Sequence, residues 1–566
     1  MNSISPAASL EDPFYYLANF QFVLGWVAER HGDLLSDEER RFLAVFEALP
    51  RASRALLVRM VTRKGEHFRT SRLVYPEIGD TEAALVALVA AGLVDGDPAL
   101  TPEQLFVQLR LPELRLALAE EIRAAGLPAS LGKAALHEAL APRLAGARPL
   151  DAWWPAAPDR VVRLRVMATC DRLRLMFFGN LRQGWAEFVL AELGVQRFER
   201  VPLTVDSRAF RCREEVDAYL ALHRLRERLD AGETVATLAA ELPPVLANNA
   251  WLAARRQRLG VALGRQAERA GESERALALY HEAGWPVAAG STEARIRHLR
   301  LLERQGQHAK AHALAEALVE TGPGEAESQA LARLRPRLRR RLCLAPLTRE
   351  AEPAPERLEL CLPGPRPGVE RVACEHLHRD AAPVAYVENT LLTGLFGLLC
   401  WEALFAPLPG AFFHPFHIGP ADLYRENFVV RRRERFATCL ARLDDGRYRQ
   451  AILAIWREKQ GLANPFVHWG ALDETLLALA LECLPPAHLR ACFERLLGDL
   501  KANRAGLPDL IQFRPDAPPG QPRYRLIEVK GPGDRLQDNQ RRWLAFFRAR
   551  GIPAAVCHVR WAAQDA

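Results

Sequence analysis

Leu507-Pro508-Asp509-Leu510-Ile511-Gln512-Phe513 and Arg523-Tyr524-Arg525-Leu526-Ile527-Glu528-Val529-Lys530-Gly531 are two β-rich runs, and the nine residues between them, Arg514 to Pro522, hold four prolines and a glycine. Punctuation of that kind between two apolar runs predicts a hairpin. Strand side chains alternate between faces, so Glu528 and Lys530 share one face with Val529 on the other, and Asp509 can face them from the neighbouring strand. Aspartate and glutamate oxygens are hard ligands suited to Mg²⁺ or Mn²⁺, and the Val529 carbonyl between the two polar side chains offers one more. A metal there would polarise a phosphodiester and lower the pKa of a bound water. Lys530 could then orient that water or stabilise charge on a phosphorane-like transition state. The lysine is unusual in this chain, which has six lysines among 76 basic residues and otherwise uses arginine. The competing reading is an exposed hairpin with scattered charges, which a bare P-D…E-x-K match does not exclude.

The flanks favour the chemical reading. Gly531-Pro532-Gly533-Asp534-Arg535-Leu536 predicts a turn, and Gln537-Asp538-Asn539-Gln540-Arg541-Arg542-Trp543-Leu544 opens a helix with Gln540 near its start, in reach of the metal site. Ile552-Pro553-Ala554-Ala555-Val556-Cys557-His558-Val559 is a further strand. The run Glu528 to Leu536, followed by Gln540, Trp543 and Cys557-His558-Val559, resembles a VRR-NUC domain of the PD-(D/E)xK nuclease superfamily. More closely, it resembles the Fanconi-associated nuclease family. Upstream, Tyr386 to Glu402 reads as an apolar helix opened by a glutamate, and the resemblance implies that Glu388 supplies the first acidic metal ligand. Glu375 and the weaker Glu402 are its rivals, and a helix N-terminal glutamate interacting with the helix dipole is the structural alternative.

With 566 residues, 49% hydrophobic and 26% charged, the chain is expected to form several domains. A net charge of +7 suits a phosphate-rich partner, although an arginine-rich proteome gives the same value without one. The ten cysteines contain no CxxC pair, which argues against a zinc or iron–sulfur site and for reduced thiols in a cytoplasmic protein. The polar N-terminus predicts no signal peptide, and no run of 18 apolar residues predicts a membrane span.

The expected fold is multidomain and mainly α. Residues 1–98 read as a helical, winged-helix-like DNA-binding domain. An aromatic helix from Phe14 to Trp26 is followed by Leu56 to Arg69, an apolar helix running into a basic cluster. Arg63, Lys64 and Arg69 are the candidates for phosphate contact there, with a solvated loop as the alternative. Arg63-Lys64-Gly65 matches the family's Arg-Lys-Gly signature. Residues 99–150 pair two short helices around a glycine-containing loop, similar to a SAP motif, with Lys133 facing phosphate at the second helix N-terminus. Residues 151–342 are helical. Gly271 and Gly306 stand 35 positions apart in matching contexts, close to the tetratricopeptide period, so a tetratricopeptide-like scaffold is expected. Leu331 to Leu342 carries six arginines, either a track for a DNA backbone or a solvated helix face. Residues 343–371 read as a Pro-rich linker and 372–566 as an α/β nuclease domain, in which Arg431 to Arg435 is another basic run.

The resemblance implies a phosphodiesterase I-type enzyme. It would be a metal-dependent, structure-specific DNA endonuclease cutting near the junction of 5′-flap DNA, with 5′–3′ exonuclease action, in interstrand crosslink repair. The implied partners are branched or flapped DNA, with protein partners on the helical repeats and a second copy on DNA as further candidates. The implied setting is the bacterial cytoplasm and nucleoid, with no membrane. Two alternatives stand beside it: a junction resolvase or restriction-like nuclease, and a non-enzymatic DNA-bound repeat scaffold.

Overall fold

A computed structural model describes residues 12–185, 197–203, 207–244, 249–285, 290–347, 355–364, 367–425 and 427–562. The chain divides into two compact units, one of Met1–Arg197 with Thr204–Val216 and one of Phe198–Leu203 with Asp217–Ala566.

The first unit begins with helices Tyr15–His31, Asp37–Ala48 and Arg51–Val61. Ser36 starts the second by accepting from Glu39 N at 3.3 Å while Glu39 Oε2 accepts from Ser36 N at 2.8 Å, a reciprocal cap that satisfies two otherwise orphaned donors. Helix Thr81–Ala90 follows, framed by three short strands: β1 (His67–Arg69), β2 (Val94–Asp95) and β3 (Val161–Leu164). They pair antiparallel in the order β1-β3-β2. The central strand therefore comes from beyond the SAP-like segment, which is inserted between β2 and β3. Helix Met167–Phe178 returns to the first helix, with Phe177 meeting the rings of Phe22 and Trp26. This corrects the expected scaffold start at 151: residues 151–185 belong with the N-terminal unit, held by the β3 ladder and by the rings on helix Met167–Phe178. The SAP-like insert has its own apolar cluster, including Leu105, Leu114, Leu136 and Leu140.

In the second unit, helices Ala250–Arg269, Ser273–Gly284, Thr292–Arg304, His308–Glu320 and Glu325–Arg341 stack in succession. The two copies read from the sequence share one turn. Gly271 and Gly306 both take positive φ, 80° and 76°, which a residue with a Cβ adopts at a cost. In each copy the next residue's N–H closes back on the preceding helix, Glu272 N to Ala267 O at 2.9 Å and Gln307 N to Leu302 O at 3.0 Å. Three arginines of the helix Glu325–Arg341 are held in ion pairs. Arg335 pairs with Glu316 at 2.6 Å, Arg337 with Glu303 at 2.9 Å, and Arg333 with Asp538.

The remainder is a five-stranded sheet with helices on both faces. Its strands are β4 (Glu356–Pro363), β5 (Val384–Tyr386), β6 (Leu510–Phe513), β7 (Tyr524–Lys530) and β8 (Ala554–Ala562), in the order β4-β8-β7-β6-β5. β4, β8 and β7 run parallel, while β5–β6 and β6–β7 are antiparallel. β4 lies inside the segment expected as a linker. β4 is an edge strand that ends on Pro363 and pairs with β8 over eight residues, so residues 356–363 belong to the nuclease sheet. One face of the sheet, including Ile511, Phe513, Tyr524 and Leu526, packs on the helical core around Leu395, Phe396 and Phe493. The opposite face, including Leu510, Ile527 and Val529, packs on helix Val369–Leu377 through Ala373. Among the described residues no single helix is long and apolar enough to cross a membrane. One bent pair, Glu474–Cys483 and Pro486–Gly498, passes that test together at 107°, and its Leu477, Leu481 and Phe493 lie in this core.

Candidate active site

The alternation of β7 decides where the charges fall. Tyr524, Leu526, Glu528 and Lys530 share one face, and the first two sit in the helical core. The last two continue the same face where it leaves the core, still nearly enclosed, at 1% exposure for Glu528 and 8% for Lys530. The register Leu510↔Ile527 puts Asp509 opposite Glu528, on the face of Ile511 and Phe513, and Asp509 is 7% exposed. Asp509 Oδ2 accepts from Val529 N at 2.7 Å, and Lys530 Nζ lies 2.8 Å from Glu528 Oε1. The hairpin geometry expected for these three residues is thus present.

The electrostatics follow from that enclosure. Burial, then the charges of Glu388 and Glu370, push the Asp509 carboxyl up to about 6, against the opposing Val529 N–H and Lys530. Burial and the Asp509 charge push Glu528 up to about 7, opposed by Lys530. Two buried carboxylates against one ammonium leave an excess of negative charge, which is costly in a low-dielectric pocket unless a cation arrives. The donors are hard oxygens, so a divalent ion fits the chemistry of the set.

Glu388 stands differently from expectation. Tyr386 belongs to β5, and the helix starts only at Leu391–Leu399, so Glu388 occupies the intervening turn and is exposed. Its oxygens are engaged by the Tyr386 hydroxyl and by Asn389 Nδ2. Among the described residues no three His, Cys, Asp or Glu side chains already form a metal-holding group. Asp509 and Glu528 are enclosed together, and Glu388 stands beside them on the exposed turn. The turn itself is tied to the Asp509 strand, since Val387 N donates to Asp509 O at 2.7 Å.

Gln540 Oε1 accepts from Gln537 N at 2.8 Å, closing the capping box of helix Asp538–Ala549. Arg69 is corrected. At 3% exposure it is an interior cation, held by Asp159 Oδ1 and Oδ2 and by Glu113, because a buried guanidinium needs carboxylate partners. Arg63, Lys64 and Lys133 remain exposed. Arg63 leans on the Tyr75 hydroxyl at 3.2 Å, Lys64 stands in the turn before β1, and Lys133 is the first residue of helix Lys133–Leu140. In the run 431–435, Arg432 and Arg431 share the buried Asp422, while Arg433 and Arg435 are exposed. The sequence reading missed Asn389, Tyr386 and Glu370, which touch or bias the carboxylates. The Val-Glu-Asn order ahead of an apolar helix was the available signal, since asparagine tolerates the left-handed turn found there.

A buried Asp, Glu and Lys on adjacent strands of a mixed sheet, with a further acid on the next turn, define a metal-dependent phosphodiesterase of the PD-(D/E)xK type. Comparison with known proteins agrees along the whole chain. Residues 14–95 match "FAN1, HTH domain", residues 99–153 match "Fanconi anemia-associated nuclease SAP domain", and residues 443–561 match "VRR-NUC domain". The last covers Asp509, Glu528 and Lys530 and leaves Glu388 upstream. The chain is 51% identical to the Fanconi-associated nuclease 1 homolog of Pseudomonas aeruginosa, over 99% of this chain and 98% of that one. It is 30% identical to human Fanconi-associated nuclease 1 over 34% of this chain and 19% of that protein. The crystal structure of paFAN1 bound to 2nt 5′-flap DNA with a gap superposes with a TM-score of 0.93 at 51% identity, covering 99% of this chain and all of that one. The chain belongs to the Fanconi-associated nuclease family and is a DNA nuclease. Its VRR-NUC domain implies dependence on a divalent metal.

Proposed function

We propose that the chain is a structure-specific endonuclease that cuts near the junction of 5′-flap DNA, with 5′–3′ exonuclease action, and that it serves interstrand crosslink repair. The chemistry rests on one observation: Asp509, Glu528 and Lys530 meet in an enclosed, negatively charged cluster at the end of β7. The substrate preference is supported by the flap DNA held in the paFAN1 structures, at 51% identity and near-complete coverage.

In this reading Glu388, Asp509, Glu528 and the Val529 carbonyl hold Mg²⁺ or Mn²⁺. Such an ion, when bound, polarises the phosphodiester and makes a neighbouring water more acidic. Lys530, kept in place by Glu528, directs its ammonium at the attacking water or at a phosphate oxygen. Asp509 fixes the end of β7 through the Val529 N–H. The N-terminal domain and the SAP-like insert grip duplex backbone through Arg63, Lys64 and Lys133, without reading sequence. The helical repeats, from about residue 217 to 342, offer a platform for protein partners or for a second copy on DNA. The setting is the bacterial cytoplasm, at the nucleoid.

The test is cleavage of an end-labelled 5′-flap duplex with Mn²⁺, Mg²⁺ or a chelator, comparing wild type with Lys530→Ala. Metal-dependent cuts near the junction that vanish in a folded, DNA-binding variant are expected. Unchanged cutting by the variant, or preference for a four-way junction over the flap, would overturn the assignment.

A further inference from the structure

We infer that Asn389 is a positioning residue, one that locks the Glu388 carboxylate to the strand carrying Asp509. The inference rests on the reading of Glu388 as a metal ligand given above. Asn389 is one of two non-glycine residues with positive φ among the described residues, at 50°. Asparagine bears that conformation better than most side chains. A plain turn residue would need nothing more, yet the Asn389 carboxamide is used at both ends. Its Oδ1 accepts from Leu507 N at 3.1 Å, two residues before Asp509, and its Nδ2 donates to Glu388 Oε1 at 3.3 Å. Its own carbonyl accepts from Thr393 Oγ1 at 2.7 Å, which anchors the turn to helix Leu391–Leu399.

The consequence lies in how Glu388 is held. Asp509 and Glu528 are enclosed by the sheet and cannot wander. Glu388 projects from an exposed turn and owes its orientation to two groups. The Tyr386 hydroxyl takes Oε2, and Tyr386 is 49% exposed on the edge strand. Asn389 takes Oε1 and is itself fastened to the Asp509 strand. The tyrosine is the hold that can yield to a cation, and the asparagine is the one that persists. A single side chain thus sets the spacing of two carboxylates that lie far apart in sequence.

The experiment uses the full chain. Mn²⁺ binding is followed by electron paramagnetic resonance without DNA, melting is measured in parallel, and turnover is measured on the end-labelled 5′-flap duplex. Asn389→Gly keeps the left-handed backbone and strips both side-chain bonds. It is expected to weaken Mn²⁺ binding about tenfold, the usual effect of losing a partner that orients a ligand. Asn389→Asp keeps the backbone and the Leu507 acceptor, loses the donor to Glu388 and sets a second carboxylate beside it. It is expected to melt like wild type and to lower kcat about tenfold at saturating Mn²⁺ with KM unchanged. Glu388→Gln is the control. Wild-type Mn²⁺ binding in Glu388→Gln removes Glu388 from the metal set, and the inference falls with it. Weakened binding in Glu388→Gln beside wild-type turnover in Asn389→Asp overturns the inference alone and leaves Asn389 a turn residue. If Asn389→Gly does not fold, Asn389→Asp still decides.

Discussion

Asp509→Asn should stabilise the metal-free protein while abolishing cleavage. In the folded chain burial and neighbouring acids move the Asp509 carboxyl from 3.8 to about 6. The folded state therefore binds this proton more tightly than the unfolded state does. That sign means a penalty absent well below the unfolded value and fully present above pH 7, once the buried group must ionise. At about 1.4 kcal/mol for each tenfold, the penalty at pH 8 is about 3 kcal/mol, falling to about a third of that at pH 4.5. Asparagine keeps a carbonyl oxygen for the Val529 N–H and carries no charge. The variant should therefore melt roughly 4 °C above wild type at pH 8 in chelator, with most of the gain gone at pH 4.5. Excess Mn²⁺ should raise the wild-type transition and leave the variant's nearly unmoved, since a ligand stabilises only the state that binds it. The assay is thermal melting of both proteins at the two pH values, with and without metal. Equal melting at pH 8, or a gain that does not shrink with acid, would refute the claim that burial, with repulsion from neighbouring acids, shapes this site.

Arg69 and Lys64 should respond to alanine in opposite ways. Arg69→Ala removes a buried cation from Asp159 and Glu113 and should cost about 3 to 5 kcal/mol of stability, read by denaturant unfolding. Lys64→Ala should leave unfolding unchanged and lower the slope of log affinity against log salt for duplex DNA by about 0.9. In the repeats, Arg295 and Glu327 form a buried pair at 2.6 Å, and Arg295→Ala should expose that segment to proteolysis at a cost of about 3 to 5 kcal/mol. Joint replacement of Arg295 and Glu327 by leucine and methionine should recover most of the loss.

Local pattern carried much of the architecture. Glu528, Val529 and Lys530 were legible because strand alternation is a property of consecutive residues, and Asp509 because a Pro-rich turn fixed which strand it faced. The paired turns at Gly271 and Gly306 were legible for the same reason. Long-range pairing was not. β3 reaches back across the whole SAP-like insert to become the central strand of the N-terminal sheet, and nothing local in Val161–Leu164 names its partners. β4 was hidden by the prolines in and around it, which read as a linker although the strand pairs fully at a sheet edge. Arg69 was misread because a basic cluster looks solvated until Asp159, 90 positions away, is folded against it.

The short stretch that begins helix Asp538–Ala549 shows why position in sequence finds a neighbourhood more readily than a role. Asp538 accepts from Arg333 of the arginine-rich repeat helix, so the repeats are bonded to this turn. Asn539 lies against Gly506, at φ 88°, where even a Cβ would stand 2.7 Å from the Asn539 Cγ, and that glycine opens the segment leading to Asp509. Gln540 closes the cap. Three successive polar residues thus face a repeat, the Asp509 strand and their own helix. Each task is a hydrogen bond or a steric fit within the chemical reach of all three side chains. What assigns them is the helical turn of about 100° per residue, which points each in a different direction. A glutamine three residues into a helix after a polar N-cap can close that cap, because the unpaired N–H groups of the helix start lie within its reach.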